Sequence, residues 1–284
     1  MSSCSASTSA ASSILERIFT AKRAELEAER AVMPLAAIRE AARRAPAPRD
    51  FLAALNVRRP AIIAEIKRAS PSKGDILPGL DPAAVARDYA AAGASAISVL
   101  TDRHFKGSLE DLRNVRAAVD LPLLRKDFIF DSYQLHQARA AGADCILLIA
   151  AILKEADLRS LYAEARELGL QALVEVHNED ELRAAECAGA EIVGINNRDL
   201  HTFATDIAVT ERLLKGYRGA ALVVSESGID TPEDIRRLDR VGARGFLVGE
   251  SLLRGGHLRK KLEALCSALS ESGPTICDPG RREG

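Results

Sequence analysis

Five short stretches of this chain share an ending: Glu65-Ile66-Lys67, Leu124-Arg125-Lys126, Leu173-Val174-Glu175, Gly194-Ile195-Asn196 and Val224-Ser225-Glu226. In extended backbone, successive side chains alternate between two faces, so the first and third residues of each triplet point the same way. If that way is inward, three carboxylates, two ammonium groups and an amide converge. Such a set is suited to moving protons. An ammonium donates to an oxygen gaining negative charge, and a carboxylate takes a proton or, once protonated, gives one to a leaving hydroxyl. Burying these charges is costly unless the signs alternate, a condition that two lysines among three glutamates meet. A single charge at the end of a strand is as often a solvated rim residue or half of a structural ion pair. The repetition over five segments is what argues for a site. The carboxylates could instead hold a divalent cation, but lysines among them argue against it. His104, His136, His177, His201 and His257 have no metal-ligand spacing, so no metal is expected.

A second group follows the last of these stretches. Ser225-Glu226-Ser227-Gly228-Ile229 and Val248-Gly249-Glu250-Ser251 combine serine hydroxyls with glycines that let backbone N–H groups approach a ligand. Together they suit a phosphate, and either alone is an ordinary turn. The segment Arg68-Ala69-Ser70-Pro71-Ser72-Lys73-Gly74 is polar, basic and rich in turn formers. It reads as a loop able to close over an anion or as a plain solvent-exposed one. Phe128 and Tyr133 have two readings as well, pocket wall for an aromatic ring or helix-packing core.

The elements that must position these groups come from the rhythm of the chain. A helix is predicted from Ser13 onwards with Ile14, Ile18 and Leu26 on one stripe, and helical patches broken by Pro46 and Pro48 follow to about residue 58. From Ala61, apolar β-branched runs at 62–66, 96–100, 121–125, 145–149, 172–176, 192–195, 221–224 and 245–248 alternate with amphipathic patterns at 82–92, 109–119, 133–141, 155–167, 179–188 and 232–241. Gly93, Gly142, Gly189 and Gly242 close four of those patterns. Continuous apolar strands separated by helices imply parallel strands buried on both faces. Eight such units, without G-x-G-x-x-G after the first, predict a closed (β/α)8 barrel behind a helical preface rather than an open doubly wound sheet. Sites in that fold lie at the C-terminal ends of the strands, and the loops after strands 7 and 8 are its usual phosphate site.

The bulk numbers agree. The chain has 284 residues, 47% of them hydrophobic, enough for a large core. Thirty-nine basic residues against forty acidic ones offer no footprint for nucleic acid or an anionic membrane surface. The five cysteines are scattered with no C-x-x-C pair, pointing to reduced thiols and a cytoplasmic protein. No apolar run reaches the roughly 18 residues of a membrane span. Residues 1–13 and 271–284 lack any apolar period and are expected to be loose tails around one domain at 14–270, with its preface at 14–58.

The quoted motifs, with Leu124-Arg125-Lys126-Asp127-Phe128-Ile129, Leu173-Val174-Glu175-Val176-His177 and Gly194-Ile195-Asn196-Asn197-Arg198-Asp199-Leu200, resemble those of the indole-3-glycerol-phosphate synthase family from about Ile14 to Ala268. The segment from Glu65 to Gly74 is the most specific of them. The resemblance implies a (β/α)8-barrel lyase of tryptophan biosynthesis, without cofactor or metal, acting on 1-(2-carboxyphenylamino)-1-deoxyribulose 5-phosphate by ring closure, decarboxylation and dehydration. It also implies roles. Lys126 is the general acid, Lys67 holds the carboxylate to be lost, and Glu175 serves dehydration. Glu65 and Asn196 place the lysines and sugar hydroxyls, and Glu226 supports the site. Arg198 and Ser227 lie near the substrate, and Ser70, Gly228, Gly249 and Ser251 grip the phosphate. A monomer with a small-molecule substrate is expected. Two other functions stay open on the residues alone: a Schiff-base aldolase, since a lysine at a strand end can attack a carbonyl, and a barrel that only binds a phosphorylated metabolite.

Overall fold

The apolar runs form eight parallel strands, and their register closes them into a ring. The computed structural model describes residues 14–70, 74–77, 79–199, 202, 204–254 and 256–270, with backbone alone for 14–17 and 70. In it β1 (Ala61–Ile66), β2 (Ala96–Leu100), β3 (Leu123–Lys126), β4 (Cys145–Ile149), β5 (Gln171–Val176), β6 (Ile192–Asn196), β7 (Leu222–Glu226) and β8 (Gly245–Val248) each pair with the next, and β8 returns to β1. The barrel expected from the alternating pattern is therefore the observed fold. The third strand starts two residues later than its apolar run, because Pro122 has no N–H to give to the ladder, although its carbonyl accepts from Ile97. The two expected tails, and Pro71, Ser72 and Lys73 of the loop after β1, lie outside the described residues.

Helices α1 (Ile14–Val32), α2 (Leu35–Arg44) and α3 (Phe51–Val57) make the preface. The chain between α2 and α3 is extended through Pro46 and Pro48, and Asp50 restarts the helix by accepting from Ala53 N–H at 2.8 Å. Helices α4 (Pro82–Ala91), α5 (Leu109–Ala118), α6 (Ser132–Ala140), α7 (Glu155–Glu167), α8 (Glu179–Cys187), α9 (Ala208–Leu214) and α10 (Pro232–Arg240) alternate with the strands, and α11 (Glu250–Leu253) and α12 (Leu258–Cys266) follow β8. Their starts are written locally: Asp131 with Gln134 and Thr231 with Asp234 form reciprocal capping boxes, and Asn178 caps α8.

Period two along the strands divides the core. Outward residues such as Ile62, Ile97, Ile146, Val174 and Val193 pack under the helices. Inward residues Ala61, Ile63, Ala96, Leu124, Cys145, Leu147, Leu173, Ile192, Val224 and Leu247 form a separate cluster, which Phe51 and Leu55 of α3 join. The backbone N–H of Leu52 donates to Oε1 of Gln171, the first residue of β5. Helix α3 thus plugs the N-terminal end of the barrel, leaving the C-terminal end as the open mouth. No described helix is long and apolar enough to cross a membrane. Cys145, Cys187 and Cys266 are free thiols.

Candidate active site

The triplets do point inward. Leu124, Leu173 and Val224, their first residues, belong to the inner cluster, so Lys126, Glu175 and Glu226 rise into the mouth two residues further on. The ammonium of Lys126 lies between two carboxylates, donating to Glu175 Oε2 at 2.6 Å and to Glu226 Oε2 at 2.8 Å. Lys126 is 12% exposed and the glutamates 3% and 2%, so this triad is almost dry. Lys67 Nζ pairs with Glu65 Oε1 at 2.9 Å beside it. A cavity of about 560 Å³ opens above these groups, and Glu65, Lys67, Lys126, Glu175, Asn196, Arg198, Glu226, Ser227, Gly228, Gly249 and Ser251 all line it. Ser70 is the last residue of a two-residue strand paired with Gly74–Asp75, and its side chain lies outside the described residues.

Closeness of unlike and like charges sets the proton affinities. Burial alone would depress Lys126, but Glu175, Glu226 and Glu65 outweigh it and hold its pKa well above the ordinary lysine value. Burial would raise Glu175, yet Lys126 and His177, with a hydrogen bond from Asn196, keep it below the usual carboxylate range. Glu226 goes the other way. Its burial and the neighbouring charge of Glu175 overcome Lys126 and push it up to about 7. One carboxylate is thereby kept ionised while its neighbour is kept ready to hold a proton.

Glycines make room for this arrangement. A Cβ on Gly194 of β6 would sit 2.0 Å from Glu226 Oε1, and one on Gly249, just after β8, would sit 2.6 Å from Glu65 Oε1. Glu65, Lys126, Glu175 and Glu226 stand on β1, β3, β5 and β7. Gly194 on β6 leaves space for the head of Glu226, and Gly249, just after β8 and expected at the phosphate, leaves the space that the Glu65 head occupies. At the end of β7, Ser227 and Gly228 both adopt positive φ (66° and 80°), and a Cβ on Gly228 would meet Thr205 Cγ2 at 2.6 Å. The Ser251 hydroxyl donates to Asp230 Oδ1 at 2.7 Å, and Lys261 of α12 pairs with the same carboxylate.

Some expectations change in detail. Asn196 bonds Glu175, itself the partner of Lys126, and through its Oδ1 accepts from the Arg198 N–H at 3.0 Å. Phe128 lines the cavity, whereas Tyr133 packs with Leu26 and Ile38 under the preface. Sequence reasoning missed a second buried network. Lys22 of α1 reaches Asp127 Oδ1 at 2.7 Å and Asp102 Oδ2 at 3.0 Å, and Arg125 Nη2 donates to Asp127 Oδ2 at 2.9 Å. Asp102, Asp127 and Ile18 line the cavity, so α1 forms part of its wall. The signal available was Asp127 directly after Lys126 with opposite parity, a charge that had to find a partner outside the barrel interior.

Fold and site together define a closed parallel (β/α)8 barrel with a dry lattice of lysine and glutamate at its C-terminal mouth, the equipment of an acid–base enzyme. Solved structures at low identity share the barrel: a thiamine phosphate pyrophosphorylase from Pyrococcus furiosus has a TM-score of 0.56 at 17% identity, covering 76% of this chain and 96% of its own. The family model described as indole-3-glycerol phosphate synthase matches residues 15–265. Proteins of that name from Roseiflexus sp. (strain RS-1) and Chromobacterium violaceum are 53% and 48% identical, over 89% and 91% of this chain and 97% and 100% of theirs. The chain belongs to the indole-3-glycerol phosphate synthase family.

Proposed function

We propose that this protein converts 1-(2-carboxyphenylamino)-1-deoxyribulose 5-phosphate into indole-3-glycerol phosphate. Family membership supports the reaction, and one observation carries the chemistry: a lysine ammonium held between two buried carboxylates at the floor of a cavity large enough for a small ligand. The ring carbon bearing the carboxylate attacks the sugar carbonyl. The C=O π electrons move to oxygen, which takes a proton from Lys126. Loss of CO2 returns its bonding electrons to the ring. The hydroxyl then leaves as water, and the neighbouring carbon gives up a proton. A positioned acid and base of this kind contribute about 10²–10⁴ each in rate. The directions of the pKa shifts favour Glu175, held ionised, as the base, and Glu226, near neutrality, as a group able to hold the returning proton.

Lys67, beside the cavity and half of a pair with Glu65, is suited to the substrate carboxylate. Arg198 and Ser227 line the same space, and the turn at Ser227-Gly228 with Gly249 and Ser251 is suited to the phosphate, with Ser70 completing it. We extend the proposal to a monomer in a reducing, cytoplasmic setting, the latter supported by widely spaced cysteines with no C-x-x-C pair.

The test is to incubate the purified protein with the anilino-deoxyribulose phosphate and follow indole-glycerol-phosphate fluorescence, with Lys126→Ala alongside. Turnover by the wild type and a loss of several orders of magnitude in the variant are expected. A folded wild type that forms no product overturns the proposed reaction. Borohydride trapping with substrate would then ask for the Schiff base of an aldolase.

A further inference from the structure

Histidine 177 has no part in the chemistry above, and its surroundings are unusual. It follows β5 at the same parity as Glu175 and therefore projects into the mouth beside it. Glu175 gives one oxygen to Lys126; its other oxygen, Oε1, lies 3.6 Å from His177 Nε2. That nitrogen is buried and has no hydrogen-bond partner among the described residues. The opposite side of the ring is fixed. Glu181 Oε2 accepts from the His177 backbone N–H at 2.8 Å and faces Nδ1 at 3.1 Å. Glu181 is itself fastened at the start of α8, where its N–H donates to Asn178 Oδ1 at 3.0 Å and its Oε1 accepts from Asn178 Nδ2 at 2.6 Å.

This geometry restricts where protons can be. A carboxylate at Nδ1 requires a hydrogen there. A neutral ring would then turn the Nε2 lone pair towards the Glu175 carboxylate, two acceptors facing each other across 3.6 Å in a buried site, an arrangement that a second proton on the ring relieves. We propose that His177 is a positioning residue for Glu175: an imidazolium oriented by Glu181, whose Nε2–H supports the carboxylate oxygen that Lys126 leaves open. The carboxylates facing it favour the cation: Glu181 from α8, Glu175 from β5 and Glu226 from β7; burial opposes them, as does the like charge of Lys126 from β3 on the far side of Glu175. The helix cap of α8 therefore doubles as the device that aims the ring. The inference deepens the proposed acid–base reading of Glu175 and rests on it for its catalytic consequence.

Two measurements test it, one independent of turnover. In the substrate-free protein, ¹⁵N NMR of the ring should show both His177 nitrogens protonated to a higher pH than the value of about 6.5 for an exposed histidine, and the midpoint should fall in Glu175→Gln. A ring singly protonated below that value in the wild type, or a midpoint indifferent to Glu175→Gln, overturns the proposal. In kinetics, His177→Gln keeps a donor but cannot be a cation. Its kcat at neutral pH should fall about tenfold, the effect of removing one close charge and so shifting Glu175 by about one pKa unit, with KM changed less than about twofold. The acidic limb of the kcat profile should move to higher pH, because Glu175 then ionises less readily; His177→Gln with the wild-type profile also overturns the proposal. A wild type inactive on the anilino sugar phosphate would overturn the reaction instead, and the NMR titration would still decide the histidine.

Discussion

At the scale of the residue, the site works by making neighbours unequal. Glu175 and Glu226 bond the same ammonium, yet one is held ionised and the other pushed up to about 7, because burial and the charge of its twin dominate Glu226. This has a consequence for stability. The folded pKa of Glu226 lies above its ordinary value of 4.5, so the folded protein binds the proton more tightly than the unfolded chain does. Stability from this group is present at low pH and is lost as pH rises from about 4.5 through about 7. Glu226→Gln removes the titration. Urea unfolding at both ends of that window should show the wild type losing more stability than the variant as pH rises; parallel behaviour would refute the assignment. Part of this site was legible in the residues, since Lys126, Glu175 and Glu226 were picked out by strand-end parity. Which carboxylate would be the odd one was not, because that depends on distances between residues 49 and 100 positions apart.

At the scale of the element, strands and glycines act together. Parity aims the heads inward, and the missing side chain of Gly194 leaves the place that Glu226 Oε1 occupies. Gly194→Ala should therefore displace that carboxylate from Lys126. We expect a destabilisation of about 1–3 kcal/mol from overpacking and a loss of about 10² in turnover from misplacing the triad, read by chemical denaturation and by the fluorescence assay. An alanine variant with wild-type stability and rate would show that Glu226 relaxes freely. The parity itself was readable from alternation along each strand. The role of Gly194 was not, because a glycine in a strand signals close approach without saying by what.

At the scale of the whole molecule, the preface is part of the site. Helix α1 is fastened to the barrel mouth by Lys22, whose pKa is raised because Asp127 and Asp102 outweigh the burial that would lower it. Lys22→Met leaves two buried carboxylates short of a cation. The expected cost is about 3 kcal/mol, the lower range for breaking a buried pair, since Arg125 still serves Asp127. Amide hydrogen exchange should report it as faster exchange along α1, with a raised KM because Ile18 leaves the cavity wall. Unchanged protection of α1 would mean that apolar contacts such as Leu26 with Tyr133 and Ile38 hold the helix by themselves.

The sequence by itself determined the eight strands, six of the helices between them, the shared parity of five strand ends and the polar heads those ends carry. These are local properties: hydrophobic period, capping residues and the alternation of an extended chain act within about ten residues. Tertiary structure alone decided which head meets which, that Lys126 serves two glutamates while Lys67 turns to Glu65, that α3 plugs one end, and that Lys22 ties α1 to the other. Those outcomes depend on barrel closure, which brings β1 beside β8 and sets distant strands in register, and on burial, which gives a charge its meaning only once its neighbours are in place.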